Sequence, residues 1–354
     1  MNVTSGSLHC MGNPACTLDS ALPLTYEGAV LSNQIKTLEE FIEIRNLLES
    51  SQMIRAAIST GVLSALSDGQ KTAPEISEQA GLNCAAVTLL LESLVQVGVL
   101  EQYELHYALS PAAKLLPADG QDGQYWAHLT EYLKTGQSLA QREDLPDSDH
   151  LFEADQARDQ WMRTPSAMDA ATALNFGKSR RGLRVLEVGC GSGIFSATFA
   201  HRDPDSTFVL LDTPANLAQA RATVESINLS PQFDYVESDE LFPTSEIGGF
   251  DLVLLTGQLH RKSLDWFDQW CKRVRDLIHV EGELVLADVF AGQEKGARNL
   301  AIFAMQVGLR TEQGQVHSAA SVQQALKSNS FGQIQFAHLP SPPFVWGLVV
   351  AARD

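Results

Sequence analysis

Residues 185–193 read Val-Leu-Glu-Val-Gly-Cys-Gly-Ser-Gly, a short apolar run that ends in three glycines at alternate positions. The apolar run predicts a buried strand, and the residues after Gly193 predict a helix. Glycine has no Cβ, so such a turn can adopt positive φ angles and lie close to a bound molecule. The stretch therefore predicts a ligand-binding turn between a strand and a helix.

Strands and helices alternate along the rest of the second half. Alternating β and α units predict a mostly parallel sheet covered on both faces. The last two strands are joined by a short prolyl turn and are expected to pair antiparallel. The predicted strands are 184–188, 208–212, 233–237, 252–256, 283–288, 334–338 and 345–351, and the predicted helices are 194–201, 214–228, 264–279 and about 320–328.

The first half predicts helices followed by a small wing. Apolar residues recur at three- and four-residue steps over 38–66. Thr72 with Glu75 indicates a helix start, and Asn83 indicates the cap of a longer helix over 85–97. Two short β-like pieces follow, so the pattern is typical of a winged helix.

Charge argues against nucleic acid as the partner of this module. From Asp68 to Leu109 the only lysine or arginine is Lys71, and the whole chain carries 25 basic against 43 acidic residues, a formal net charge of −18. Because phosphate neutralisation supplies most nucleic-acid affinity, we expect neither nucleic acid nor an anionic membrane as a partner. A dimer interface is the expected role of the apolar helical faces.

Three kinds of ligand compete for the glycine turn. A phosphate-binding P-loop would need a GxxxxGK[ST] pattern, which is absent. A dinucleotide fingerprint needs a third glycine where the chain has Ile194. A nucleoside with a charged tail is the remaining reading, and carboxylates at strand ends support it. Asp212 ends the second strand, where its oxygens could accept both hydroxyls of a ribose diol, and Asp239 and Glu240 follow the third.

An acidic residue before alternate glycines resembles motif I of the class I S-adenosylmethionine methyltransferases. Together with the winged-helix front, the chain resembles the dimeric small-molecule O-methyltransferases that act on caffeate and on polyketides. The resemblance implies S-adenosylmethionine as cofactor, S-adenosylhomocysteine as product and no metal. It places the cofactor on these residues: Glu187, Gly189, Gly191, Gly193, Asp212, Asp239, Glu240 and Thr256.

The same resemblance implies a histidine general base just after the fourth strand. His260 falls on that position, and Asp288, at the end of the fifth strand, falls where the family has a glutamate that orients the base. Histidine is a competent base at neutral pH. Arg261-Lys262 replace the family's Asp-Trp, and Val316-His317 lie where a second orienting glutamate is expected.

The implied fold class is α/β: a Rossmann-like methyltransferase domain with a mostly parallel seven-stranded sheet and an antiparallel last strand, preceded by an all-helical winged-helix dimerisation domain. The expected domains are an arm (1–34), the dimerisation domain (35–118), linker helices that contribute to the substrate pocket (119–180) and the catalytic domain (181–354). Candidate acceptor-pocket residues are Trp126, Trp161, Met162, Met168, Phe303 and Met305.

Five scattered cysteines and the lack of a signal-like or membrane-spanning run favour a cytoplasmic location. The predicted function is therefore methyl transfer to a hydroxyl of a small, aromatic or polyketide-like molecule by a homodimer. Methylation of carbon or nitrogen, or a non-methyl reaction with the same cofactor, stays open. A winged-helix transcription regulator that senses a ligand and a nicotinamide-dependent oxidoreductase are the further alternatives.

Overall fold

The computed structural model describes residues 26–116, 124–142, 148–238, 241–244, 247–292, 297–342 and 345–354. The chain divides into two compact units, and the boundary falls after residue 122.

The first unit has the element order of a winged helix. Its three strands form an antiparallel sheet in the order β1-β3-β2. The very short strand β1 was not predicted, because two residues give no alternating pattern. The three strands together make this unit a mixture of helices and strands rather than all-helical. The elements are α1 (Tyr26–Ser59), α2 (Val62–Ala65), β1 (Lys71–Thr72), α3 (Ala73–Ala80), α4 (Cys84–Gln96), β2 (Leu100–Tyr103) and β3 (His106–Leu109).

Both predicted helix starts of this unit are present. The Thr72 backbone N–H and hydroxyl each donate to Glu75 Oε2 at 2.7 Å, which closes a capping box at the start of α3. Asn83 Oδ1 accepts the backbone N–H of Ala86 at 3.0 Å and caps α4. The α4 residues Leu91 and Leu94 are fully buried, so the helix is held by its apolar face.

The second unit is built on a seven-stranded sheet in the order β6-β5-β4-β7-β8-β10-β9. All neighbouring strands from β6 to β8 pair in parallel, and β10 is antiparallel to both of its neighbours. This confirms the predicted sheet with its antiparallel last strand. The strands are β4 (Arg184–Val188), β5 (Thr207–Asp212), β6 (Phe233–Glu237), β7 (Phe250–Thr256), β8 (Ile278–Asp288), β9 (Phe331–Leu339) and β10 (Trp346–Arg353).

Helices connect and cover these strands, and the starts of α7, α8 and α9 agree with the sequence expectation. The helices are α5 (Leu129–Thr135), α6 (Ser148–Ala173), α7 (Ile194–Arg202), α8 (Pro214–Ser226), α9 (Leu264–Arg275), α10 (Ala297–Arg310) and α11 (Ala319–Ser328). Short 3-10 helices lie at Ala113–Leu115 in the first unit and at Gln124–His128, Leu139–Gln141, Ser230–Gln232 and Leu259–Arg261 in the second.

The sheet of the second unit is buried on both faces. In β7, Leu252 and Leu254 join one apolar cluster and Val253 and Leu255 join the other. Successive side chains of a strand point to opposite faces, so these two clusters lie above and below the sheet. A parallel sheet covered on both sides requires such a continuous apolar strand.

The topology places the candidate site. The chain runs outward from β4 through β5 to β6 and then returns to β7 on the other side of β4. Ligands of open α/β sheets bind beyond the carboxyl ends of the strands where the order reverses, which here is between β4 and β7. In the described part of the chain no helix is both long and apolar enough to cross a membrane.

Candidate active site

The glycine turn after β4 has the backbone geometry that requires glycine. Gly189, Gly191 and Gly193 have φ of 69°, 55° and 70°, values that side chains other than glycine rarely adopt. A Cβ on Gly193 would lie 3.2 Å from the Cβ of Ala220, so this residue also permits close packing of the turn on α8. The glycines thus allow the turn to pack closely on α8 and would allow a ligand to lie close to its backbone.

The carboxyl group of Glu187 is fully buried beneath this turn. Its Oε2 accepts the backbone N–H and the hydroxyl of Ser196, the latter at 2.5 Å, and its Oε1 accepts the hydroxyl of Thr256 at 2.6 Å. Burial raises the pKa of Glu187, although these hydrogen bonds oppose the shift. Both predicted cofactor contacts, Glu187 and Thr256, therefore bond to each other and to α7, and they support the turn from below.

Asp212 lies at the end of β5 and binds the same turn. Its Oδ2 accepts the N–H of Gly191 at 2.7 Å, and its Oδ1 accepts the N–H of Thr213 at 2.8 Å and the amide of Asn216 at 2.9 Å. The Cys190 thiol shares a further side-chain hydrogen bond with this carboxyl group, so neighbouring groups occupy much of its acceptor capacity. Burial raises the pKa of Asp212, and the bonds from Asn216 and the backbone oppose this.

The neighbours of Asp212 compete with a bound ligand for its oxygens. The sequence suggested that these oxygens accept both hydroxyls of a ribose diol, and this stays a prediction. Asp239 and Glu240, the remaining cofactor candidates, lie outside the described residues.

His260 and Asp288 form a buried pair at the carboxyl ends of β7 and β8. The ring Nδ1 of His260 lies 2.7 Å from Asp288 Oδ1, and the His260 backbone N–H donates to Asp288 Oδ2 at 3.2 Å. The two side chains are 8% and 2% exposed. Burial would raise the pKa of Asp288, but the nearby His260 and the hydrogen bonds outweigh burial and hold this pKa below its ordinary value.

An ionised Asp288 fixes the state of the histidine. A carboxylate only accepts hydrogen bonds, so Nδ1 carries a proton, and in the neutral ring the lone pair then lies on Nε2. This is the tautomer that a general base needs. A shorter aspartate in place of the expected glutamate therefore still reaches the ring.

The second predicted orienting position bonds to the backbone instead of to the base. His317 is buried, and its Nε2 lies 2.8 Å from the carbonyl oxygen of Lys262. Its Nδ1 lies 3.2 Å from the side-chain amide of Gln315. His317 thus ties the segment before α11 to the end of the turn that carries His260.

Of the acceptor-pocket candidates, Phe303 is placed against the predicted base. Its ring centre lies 4.9 Å from that of His260, edge to face. Trp126 packs beside Tyr125 with ring centres 5.5 Å apart. The others are partly or largely exposed on α6 and α10, and their role stays a prediction: Trp161, Met162, Met168 and Met305.

Sequence reasoning missed Gln258 and Arg261, which lie between the glycine turn and His260. Gln258 is 1% exposed and donates from Nε2 to the carbonyl oxygen of Gly189 at 2.9 Å. Arg261 donates from Nη1 to Gln258 Oε1 at 3.1 Å. Hydrophobic periodicity does not identify a buried glutamine in a turn. For Arg261, the only signal in the sequence was the departure from the family's Asp-Trp. In the described residues no group of three or more acidic, histidine or cysteine side chains could hold a metal ion.

A family model described as an O-methyltransferase domain matches residues 142–332, more than half of the 354-residue chain. The chain belongs to this O-methyltransferase family. One relative, the 3-hydroxy-5-methyl-1-naphthoate 3-O-methyltransferase of Streptomyces sahachiroi, is 22% identical over 321 residues, which are 83% of this chain and 90% of the relative.

Solved structures of the same fold include human N-acetylserotonin methyltransferase in complex with S-adenosylmethionine. It has a TM-score of 0.67 and 16% identity, over 90% of this chain and 98% of the human one. Another is N,N-8-amino-8-demethyl-D-riboflavin dimethyltransferase from Streptomyces davawensis, with a TM-score of 0.71 and 20% identity over 90% and 99% of the two chains. At these identities the likeness shows the fold alone. One of these two proteins of the same fold is named as a dimethyltransferase of an amino-substituted riboflavin.

We predict that Gly189→Ala weakens binding of S-adenosylhomocysteine strongly, by 100-fold or more in calorimetry. An alanine at positive φ costs about 1–2 kcal/mol, and its Cβ would also lie 2.6 Å from Gln258 Cγ. Something in the turn must then move. Gly182→Ala is the matched control, because Gly182 has φ of 63° but open space around its Cβ position. Equal losses of affinity in the two variants would contradict the close approach at Gly189.

A second prediction concerns acid stability. Because the pKa of Asp288 is lower in the folded protein, the carboxylate adds stability above its unfolded pKa of about 3.9 and loses it as pH falls towards the folded pKa. Asp288→Asn should therefore reduce the free energy of unfolding at pH 6 and make its decline between about pH 4 and pH 2 shallower. Urea unfolding across this range measures both. His260→Ala, which removes the charge partner, should likewise make this decline in the free energy of unfolding shallower. Parallel curves for the parent protein and the two variants would be the contrary result.

Proposed function

We propose that this chain uses S-adenosylmethionine to methylate a hydroxyl of a small aromatic or polyketide-like molecule, with His260 as general base and Asp288 as its orienting partner. The observation that carries the proposal is the buried His260–Asp288 pair at the switch point of the sheet, beside the glycine turn. The family match supports methyl transfer to oxygen.

The site's geometry fits the cofactor. A positive-φ glycine turn allows close approach of the methionine part, and Asp212 offers a buried carboxyl group at the end of β5 to the ribose. When bound, the cofactor would supply a methyl group on a sulfonium sulfur. The bond from the methyl carbon to sulfur would break as the bond to the acceptor oxygen forms, and the sulfur would leave as a neutral thioether.

The chain's own residues then perform a proton transfer and an alignment. Nε2 of His260 takes the hydroxyl proton as the acceptor oxygen bonds to the methyl carbon. Asp288 stabilises the resulting imidazolium, because its carboxylate already accepts the Nδ1 proton. Phe303 packs edge to face on the ring and limits its rotation. Since the methyl group is already activated, most of the remaining acceleration comes from orientation.

An aromatic acceptor is supported by the neighbourhood of the base and by the relative. The ring of Phe303 at His260 offers an apolar surface for a planar molecule. The Streptomyces sahachiroi relative is named for a hydroxylated naphthoate. We propose the acceptor class on these two grounds, and the linker helices as part of its pocket.

We predict that His260→Gln lowers acceptor-dependent turnover by about 10²–10⁴-fold while the affinity for S-adenosylhomocysteine stays within about threefold. Turnover is measured as S-adenosylhomocysteine formed with a panel of hydroxylated aromatic acids and polyketides, and the methylated product is identified by mass spectrometry and NMR. Asp288→Asn should lower turnover by a smaller factor, because the ring is then poorly oriented.

A matched control is available at the opposite edge of the sheet. His279 Nδ1 lies 3.1 Å from Asp251 Oδ1 in a second, exposed histidine–aspartate pair. His279→Gln should keep full turnover. If His260→Gln kept it as well, or the methyl group were found on carbon or nitrogen, the proposed O-methylation by a histidine base would be wrong.

We also propose that the protein is a homodimer through the first unit, without nucleic acid as a partner. Seven large apolar side chains between residues 35 and 48 of α1 are exposed in the single chain, each by at least 46%, and exposed apolar surface of this extent marks an interaction site. These residues are Ile35, Leu38, Phe41, Ile42, Ile44, Leu47 and Leu48. The one lysine or arginine between 68 and 109, Lys71, already donates to Ala65 O and Gln79 Oε1.

Phe41→Glu should therefore convert the protein from the mass of two chains to that of one in sedimentation velocity, because it buries a charge in the interface. Leu105→Glu is the control, since Leu105 is 76% exposed in the turn between β2 and β3 and not on α1. A dimer that survives Phe41→Glu, or a monomeric parent protein, would contradict the interface.

A further inference from the structure

We propose that Gln258 and Arg261 are positioning residues that fix the distance between the turn carrying His260 and the cofactor-binding turn. The inference rests on the proposed function, and one of the two residues, Arg261, departs from the family's Asp-Trp sequence. The Gln258 side chain binds the glycine turn, and the Arg261 side chain binds Gln258.

The Gln258 side chain contacts the first glycine of that turn, Gly189. Its Nε2 donates to the Gly189 carbonyl oxygen at 2.9 Å, and its Cγ lies only 2.6 Å from where a Cβ on Gly189 would stand. With 1% exposure the side chain is held by packing as well as by the hydrogen bond. The end of β7 is therefore bound to the end of β4 by a side chain as well as by the sheet.

Arg261 extends this connection in two directions. Its Nη1 donates to Gln258 Oε1 at 3.1 Å, so a single amide joins Arg261 to Gly189. Its charge also acts on Asp212, where it helps to lower the pKa of a carboxyl group that burial raises. Glu187 and Cys190, on or next to β4, also interact with Asp212 through their charges, and the Cys190 thiol shares a hydrogen bond with it.

His260 is thereby held from both sides. Asp288 binds its ring and its backbone N–H on the β8 side. Gln258 and Arg261, the residues just before and after the Leu259-His260 pair, bind the turn to Gly189 and act on Asp212 on the cofactor side. Alignment of base, acceptor and methyl group depends on this spacing, and a displacement of 1 Å can cost about 100-fold in rate.

The experiment measures the affinity for S-adenosylhomocysteine by calorimetry in the full-length protein at pH 5.5 and pH 8. Gln258→Leu should raise the Kd about 3- to 10-fold at both pH values, the range of a lost hydrogen bond. Arg261→Met should raise it more at pH 5.5 than at pH 8. Without the guanidinium the pKa of Asp212 rises further, so the carboxylate needed as an acceptor is protonated at a higher pH.

The double variant tests whether the two residues act together. At pH 8, where both residues act through the same chain of hydrogen bonds, Gln258→Leu/Arg261→Met should bind about as weakly as the weaker single variant instead of showing the product of the two losses. Arg261→Lys keeps a positive charge without the guanidinium, so it should restore part of the affinity at pH 5.5 and leave the loss at pH 8. Arg261 is only partly buried, so its variants stay informative even if Gln258→Leu unfolds.

Lys262→Met is the matched control, since it removes a neighbouring positive charge whose Nζ lies over the Trp266 ring at 5.5 Å. It should keep the parent affinity at both pH values. Failure of the parent protein to bind S-adenosylhomocysteine would overturn the proposed function itself. Parent binding with unchanged affinity in the Gln258 and Arg261 variants, with additive losses at pH 8, or with a loss in Arg261→Met that does not depend on pH would overturn only the positioning role.

Discussion

The buried carboxyl group of Glu187 joins the three elements on which the site is built. It belongs to β4, accepts two hydrogen bonds from the first turn of α7 and one from the end of β7. These contacts fix where the glycine turn leaves the sheet and how far β7 stands from it. A fully buried carboxyl group is costly unless its oxygens are bonded, and here both are. Its role is to hold the frame, while the ligand contacts fall to the residues above it.

Two further carboxylates stand at strand ends of the same sheet, on β5 and β8, with β4 and β7 between them, and their surroundings give them different tasks. Asp212 shares its oxygens among the glycine turn and the start of α8, and its pKa is raised by burial. Asp288 faces His260, and its pKa is lowered. Opposite pKa shifts on either side of the β4–β7 switch point separate a group that orders a binding turn from a group that keeps a histidine in one tautomer.

Much of this could be predicted from the sequence because it follows from local rules. Alternating apolar residues, glycines and caps located the strands of the second unit to within about five residues, and the place of Asp288 at the end of β8 followed from a family resemblance. The His260 position followed from a family resemblance. The contacts of Gln258, Asn216 and Ser196 could not be predicted, because each depends on which strand lies next to which and on side-chain direction within a turn. The two-residue strand β1 likewise exists only through its pairing with β3.

The last strand along the sequence has a consequence for protein synthesis. β10 lies inside the sheet, between β8 and β9, although it follows both of them in the sequence. A nascent chain that has already exposed β4 to β9 to solvent still presents an unpaired apolar edge on β8 and an isolated β9. Open strand edges recruit other chains. The sheet is therefore completed only after β10 has been made, so a ribosome that stalls before β10 would yield an aggregation-prone product instead of a weakened enzyme.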